Sequence, residues 1–257
     1  MRVKLSVVII TFNEEKNIRR CLDSVMDIAD EIVVVDSFST DKTETICRTY
    51  GVNFIQHKFD GHIEQKNYAS SQASNPHVFC LDADEALSDE LKQSIISIKN
   101  NFVADGYSMN RLTNYCGTWI KHCGWYPDTK IRVMDRTKGK WGGDNPHDHF
   151  IMEAGATLVH LEGDLLHYSY YTLEDHYKQV EYFTTIFSQS QFAKGKKAPL
   201  LMVYGSPVIK FMKDYFFNLG FLDGKAGFTI SRISAFASFT KYKKLRQLHL
   251  QKRKNGR

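Results

Sequence analysis

The stretch Val78-Phe79-Cys80-Leu81-Asp82-Ala83-Asp84-Glu85 constrains this chain more than any other, because an apolar run stops abruptly in three acids. Val78 to Leu81 is short and uniformly apolar, which predicts a strand covered on both faces, and Ser88-Asp89-Glu90 then opens a helix. The acids therefore sit where a buried parallel strand ends. Ligands of open α/β sheets bind outside the carboxyl ends of strands, and two carboxylates spaced i, i+2 there suit a divalent cation and a phosphate-bearing ligand. A solvated acidic turn is the plainer alternative.

The same pattern recurs upstream. Leu5 to Ile10 is a continuous strand pattern ending in Thr11-Phe12-Asn13-Glu14-Glu15, and Ile18, Leu22, Val25 and Met26 then recur at helical spacing, with Asn13 as the expected cap. Glu31 to Asp36 is a β-branched run ending in an acid, followed by a turn at Ser37 to Asp41 and a helix from Lys42 to Tyr50 closed by Gly51. Val52 to Gln56 reads as a strand and Glu64 to Ser74 as a helix stopped at Asn75-Pro76. Strand and helix alternating at this pitch predict βαβ units and a mainly parallel central sheet flanked by helices, an α/β fold. The polar ends of the first, second and fourth strands should line one cleft.

After the helix around Leu91, Ile95 and Ile98 the alternation breaks down. Gly106 to Arg111 and Lys130 to Arg136 read as strands, and Gly142 to His149 reads as a polar loop with two acids and two histidines. Thr172-Leu173-Glu174-Asp175 resembles a capping box before a helix reaching about Phe192. Pro207 to Leu222 is apolar over most of a helical circumference, which suits either burial or a bilayer interface. The expected organisation is a catalytic domain over 1–200, divided into a nucleotide-binding half (1–105) and an acceptor-side half (106–200), with a helical, aromatic and basic extension over 201–257.

A length of 257 residues, 25% charged and 42% hydrophobic, is an ordinary balance for a water-soluble chain. No spanning segment and no leader pattern is read from it, so a cytoplasmic location is expected. Five scattered cysteines suit reduced thiols, and Cys116 and Cys123 flank His122 at a spacing unlike a zinc site. The net charge of +5 hides an asymmetry: residues 241–257 hold eight Lys or Arg and no acid, leaving 26 basic residues against 29 acids elsewhere. A basic tail on a mildly acidic body points to an anionic partner such as a membrane surface, with a solvated tail as the other reading. No motif supports nucleic-acid recognition.

Four ordered motifs, Val7-Val8-Ile9-Ile10-Thr11-Phe12-Asn13-Glu14-Glu15, Val35-Asp36-Ser37-Phe38-Ser39-Thr40-Asp41, Gln65-Lys66-Asn67 and Asp82-Ala83-Asp84-Glu85, together resemble the family 2 inverting glycosyltransferases of the GT-A fold. Cys116 to Trp119, Cys123 to Asp128, Lys130 to Arg132, Pro146-His147-Asp148 and Phe221 to Gly224 resemble the bacterial lipopolysaccharide-core β-1,4-glucosyltransferase subgroup. The subgroup carries His-Glu where this chain has His147-Asp148, which keeps a carboxylate on a shorter reach. The resemblance implies a nucleotide-sugar donor, with UDP-glucose expected, and a saccharide or glycolipid acceptor at the inner face of the cytoplasmic membrane. It implies that Thr11, Asn13, Glu14 and Asp36 contact the nucleoside side of the donor, that Lys66 lies near the nucleotide and that Asp82 faces the ribose. Asp84 would hold Mg²⁺ or Mn²⁺, with His167 either a second protein ligand or simply packed or hydrogen-bonded. From their own chemistry, Arg132 and Trp125 position donor or acceptor by charge and stacking, or else pack in the core or at the surface.

Sugar transfer from a nucleoside diphosphate needs charge stabilisation on the departing diphosphate, which a hard cation supplies, and a carboxylate to take the acceptor's proton. Asp148 is the first candidate for that base and Asp144 the second. The rivals are a membrane-surface binding protein with a degenerate transferase fold and a nucleotidyltransferase. The latter would carry a Gly-rich loop with a basic residue after the first strand, which Thr11 to Glu15 does not offer. A glycosidase or an Asp-x-Asp phosphatase fits less well, because neither needs the strand-end residues of a nucleotide cleft.

Overall fold

The computed structural model describes residues 2–144 and 147–255, with the side chains of Asp144, His147 and residues 253–255 outside that description. The chain forms two compact units, one of Met1–Leu112 with Asp128–Tyr168, the other of Thr113–Pro127 with Ser169–Arg257. The second unit thus takes in a short segment that nothing in the local sequence pattern sets apart.

The first unit opens with β1 (Leu5–Thr11), α1 (Ile18–Val25), β2 (Glu31–Asp36), α2 (Thr43–Thr49), β3 (Asn53–Gln56), α3 (His62–Ser71) and β4 (His77–Asp82). It continues with β5 (Glu85–Leu87), α4 (Asp89–Asn100) and β6 (Gly106–Tyr115), whose last three residues already belong to the second unit and pair there with β7 (Thr118–Ile120). Then come β8 (Thr129–Asp135), β9 (Gly139–Asp144), β10 (His147–Met152) and β11 (Leu158–Tyr170). The main sheet runs β3-β2-β1-β4-β8-β6-β11-β5. Its first four strands are parallel, as the βαβ alternation predicts, while β8 turns antiparallel against β4.

Burial on both faces explains the apolar runs. Leu5, Val7 and Ile9 of β1 face a core shared with Leu22 of α1 and with Leu91 and Ile95 of α4. The alternate residue Val8 joins Val33, Val35, Val78 and Cys80 against Ala69 of α3 and against Trp141 and Phe150 of the β9–β10 hairpin. A strand of period 2 with helices or a hairpin on each side must be apolar at every position, and each fully buried Val or Ile stabilises by about 1.5–3 kcal/mol. Ser88 caps α4 by accepting a hydrogen bond from the Leu91 backbone N–H, as its sequence signature indicates.

Three local expectations are corrected. Asn13 does not cap α1; the cap position is Asn17, and Asn13 sits in the left-handed region at φ 55°. Residues 142–149 do not form a simple loop, because β9 and β10 pair antiparallel with Asp148 opposite Gly143 and His149 opposite Gly142. Within the hairpin a Cβ on Gly142 would stand 2.6 Å from the Ile151 side chain and Gly143 lies at φ 103°, while just before them a Cβ on Gly139 would stand 2.3 Å from the Ile151 carbonyl oxygen. The apolar segment 207–222 is also no single helix. In the second unit α5 (Leu173–Ala193), started by the Thr172–Asp175 capping box, is followed by α6 (Leu200–Met212) with Pro207 inside it. A π turn (Lys213–Phe217) and a 3₁₀ turn (Gly220–Asp223) lead into α7 (Gly224–Asn255), so the basic tail is helical as far as Asn255.

Candidate active site

Strands β2, β1 and β4 are neighbours, and their carboxyl ends deliver Asp36, Thr11 and Asp82 to one edge of the sheet. Asp36 is fully buried, and its carboxylate accepts hydrogen bonds from the backbone N–H and the hydroxyl of Ser39. Asn13 reaches across from the end of β1: its backbone N–H donates to Ser39 Oγ at 2.7 Å, and its side-chain oxygen accepts from the Thr40 backbone N–H at 2.8 Å. Glu14 and Glu15 extend this zipper by donating from their backbones to Thr43 and Asp41. Thr11, opposite Asp36 in the ladder, has a buried hydroxyl without a hydrogen-bond partner among the described residues. A buried hydroxyl left unpaired costs stability, and a ligand group that satisfied it would recover that cost.

The acidic turn is organised by one buried cation. Arg132 of β8, 3% exposed, donates to Asp82 at 2.9 Å and to Glu85 at 2.6 Å. Glu85 also accepts from the Asp82 backbone N–H, closing the turn between β4 and β5. Burial works against the Asp82 charge, but the Lys66 and Arg132 cations outweigh it and hold its carboxyl well below the usual range. Burial likewise opposes the charge on Arg132, and Glu85 and Asp82 more than offset it.

Lys66 of α3 is the second cation. Its Nζ lies 3.1 Å from Asp82 and 2.8 Å from Asp148 of β10, 4.7 Å from the centre of the Trp141 ring. The flanking motif residues set this geometry. Gln65 contacts His57 and Ser37, while Asn67 makes a two-way backbone clamp on Trp141, its amide donating to the Trp141 carbonyl and its oxygen accepting from the Trp141 N–H. Three consecutive polar residues of one helix thus tie it to β2's loop, to the acidic turn and to the hairpin.

Beyond the turn, Asp84 pairs with His167 of β11 at 3.1 Å. Two ligands about 2.1 Å from one ion and at right angles stand about 3 Å apart, so this pair fits two positions of an octahedral cation. Among the described residues no cluster of three or more potential metal ligands exists. Glu14 is near enough to matter electrostatically. Burial pushes its carboxyl up, the hydrogen bond from Asn17 opposes this, Asp84 and Asp41 add to the rise, and the result is about 7.

The predicted residues therefore fall in three groups: Thr11, Asn13, Glu14 and Asp36 at the β1 and β2 ends, Lys66, Asp82, Arg132 and Asp148 in one ion-pair network, and Asp84 with His167. All lie in the first unit. The side chain of Asp144 lies outside the described residues. Glu85, Asn67, Trp141 and Ser39 complete the site without having been singled out, although the first two stand inside quoted motifs and Ser39 inside another.

The model of the family described as Glycosyl transferase family 2 matches residues 6–157, which contain all three strand ends and the hairpin. The chain belongs to that family. An uncharacterized glycosyltransferase of Rickettsia typhi is 32% identical over 97% of this chain and 89% of its own length. The lipopolysaccharide core biosynthesis glycosyltransferase LpsC of Rhizobium meliloti is 27% identical over 98% of this chain and 95% of its own. Among solved structures, a mannosyltransferase from Pyrobaculum calidifontis in complex with GDP-Man and Mn²⁺ covers 93% of this chain and 74% of its own at 16% identity, with a TM-score of 0.50. The fold is GT-A, as the four ordered motifs imply.

Two measurements test the electrostatics of this family 2 site. Arg132→Met should lower stability by about 3 kcal/mol in denaturant titration, because it leaves the buried Glu85 carboxylate with only the longer 3.6 Å contact to Arg111. A donor contact on the surface would cost almost nothing. Glu14 is protonated in the fold up to about pH 7 but ionises near pH 4.5 when unfolded, so its contribution is fully present below 4.5 and lost as pH rises through 7. Glu14→Gln should raise the melting temperature relative to the parent at pH 8 and leave it level at pH 4.5.

Proposed function

We propose that the protein is an inverting, metal-dependent glycosyltransferase that moves a hexose, glucose from UDP-glucose, onto a lipopolysaccharide-core or other lipid-linked saccharide at the cytoplasmic membrane face. The observation that carries this reading is the convergence of Asp36, Thr11 and the acidic turn on adjacent carboxyl ends of β2, β1 and β4, with the Asp84–His167 pair just beyond. The name of the Rhizobium relative supports the lipopolysaccharide acceptor, and the ligands of the Pyrobaculum structure support a nucleotide sugar and a divalent cation.

Each side chain has a task in this reading. The Asp36 oxygens keep spare lone pairs beyond the Ser39 contacts and accept a base N–H, while the unpaired Thr11 hydroxyl completes the nucleoside contact. Asp84 and His167 would hold the cation, which when bound stabilises charge on the departing diphosphate as a Lewis acid. An imidazole nitrogen in the donor set suits Mn²⁺ better than the harder Mg²⁺. Arg132 fixes Asp82 and Glu85 through one guanidinium nitrogen, and its buried Nε and Nη1 have no hydrogen-bond partner among the described residues, which leaves them for a group of donor or acceptor.

Asp148 takes the proton from the acceptor hydroxyl as the new glycosidic bond forms on the face opposite the leaving group. Its carboxylate is paired with Lys66, so it becomes available as a base when Lys66 turns to the donor's phosphates. The Lys66 ammonium already bridges Asp82 and Asp148, and a diphosphate offers it more charge than one carboxylate.

Two variants separate these roles. Asp84→Asn should abolish the Mn²⁺-dependent rise in melting temperature with UDP, since a ligand that binds only the fold stabilises by mass action. An undiminished rise would remove Asp84 from the metal site. Asp148→Asn should keep that rise and lose about 10²–10⁴-fold in transfer rate. Full transfer in this variant, with loss in Asp144→Asn, would move the base to Asp144.

A further inference from the structure

The second unit carries a surface that the transfer chemistry does not use. On α6, Leu201, Tyr204, Val208 and Met212 follow at spacings of three and four, which puts them in one stripe along the helix. They are 85%, 63%, 63% and 42% exposed, and Ile209 beside them is 69% exposed. The opposite side of the helix is anchored: Val203 is buried with Ala198 and with Leu245 of α7, and Ser206 bonds Ser238. The stripe runs on into the π turn, where Phe217 is 79% exposed. Scattered exposed apolar residues need no explanation, but a contiguous ridge of aliphatic and aromatic side chains marks a contact surface.

The charge around the ridge identifies what it contacts. Residues 194–257 contain fifteen Lys or Arg and two acids. Both acids are turned inward: the Asp214 side chain is 1% exposed and paired with Lys210, and that of Asp223 is 6% exposed and takes hydrogen bonds from the His122 backbone and ring. Lys196, Lys197, Lys213 and Lys225 are exposed. The exposed charge of this segment is therefore cationic, although Lys244 is paired with Glu181 of α5.

We infer that the α6 ridge and its π turn insert into the interface of an anionic phospholipid bilayer, with the surrounding lysines held at the headgroups. Apolar burial and attraction to anionic lipid add in such a contact. A second copy of this chain would bring an equally cationic ridge against the first, and aliphatic Leu201, Val208 and Ile209 offer nothing to a nucleic acid. Among the described residues no helix is long and apolar enough to cross a membrane, so the contact is with one leaflet. The inference stands apart from the donor chemistry, and its readout is binding rather than turnover.

The test is flotation of the full chain with vesicles of phosphatidylcholine alone and of phosphatidylcholine with about 30% phosphatidylglycerol. The parent should float with the anionic vesicles, at least about tenfold more weakly with neutral ones, and less as salt screens the contact. Leu201→Asp with Ile209→Asp, both on the exposed side, should cut anionic binding at least about tenfold with an unchanged melting temperature. Lys196→Glu with Lys197→Glu and Lys213→Glu should do the same while leaving the ridge intact. Absence of parent binding, or undiminished binding by either variant, would overturn the proposal. So would a parent that sediments as a dimer, fails to float, and becomes monomeric in the Leu201→Asp, Ile209→Asp variant.

Discussion

The site rests on a single buried guanidinium. At the end of β4 and on the hairpin beside it, Asp82, Asp84, Glu85 and Asp148 gather more negative charge than a half-buried sheet edge can hold alone. Arg132 meets Asp82 and Glu85 directly, and Lys66 couples Asp82 to Asp148. With the inner two carboxylates neutralised from within the fold, Asp84 is the acid left beside only an imidazole. The protein's own cations thus decide which carboxylates are neutralised from within, a division that the acidic tripeptide alone does not reveal.

Much of this was legible in the sequence because strand ends are local features. Val78 to Leu81 had to be a doubly covered strand, and the acids after it had to lie at a carboxyl end. The Asp36 and Asn13 motifs were readable for the same reason, although Asn13's task was not: nothing local indicates that it bridges to Thr40 rather than capping α1. Glu85 was hidden because its burial depends on Arg132, 47 residues away. The hairpin was hidden because Gly142-Gly143-Asp144-Asn145 carries every composition cue of a loop, although Gly143, at φ 103°, lies in a paired strand. Strand pairing is a property of two segments, and local pattern sees one.

The two units differ in composition. The first contains the whole ion-pair network and most of the family match, and its segments are interrupted by Thr113–Pro127 and left behind after Tyr168. The second is built of α5, α6 and α7 around a basic, apolar-ridged exterior. Its aromatic π turn could be read in the sequence as an apolar helix but not as exposed, because hydrophobic periodicity reports that a face is apolar and not what covers it.

Asn13 illustrates how narrowly such a site can be written. Its backbone lies at φ 55°, a region that asparagine, aspartate and glycine tolerate far better than other residues. Its side-chain oxygen at the same time holds the Thr40 N–H. Glycine would keep the backbone and lose the bridge, and aspartate would keep the bridge and add a charge to a neighbourhood that already holds Asp36, Asp41 and Glu14. The position thus makes two independent demands, one on the backbone and one on the side chain, and asparagine meets both.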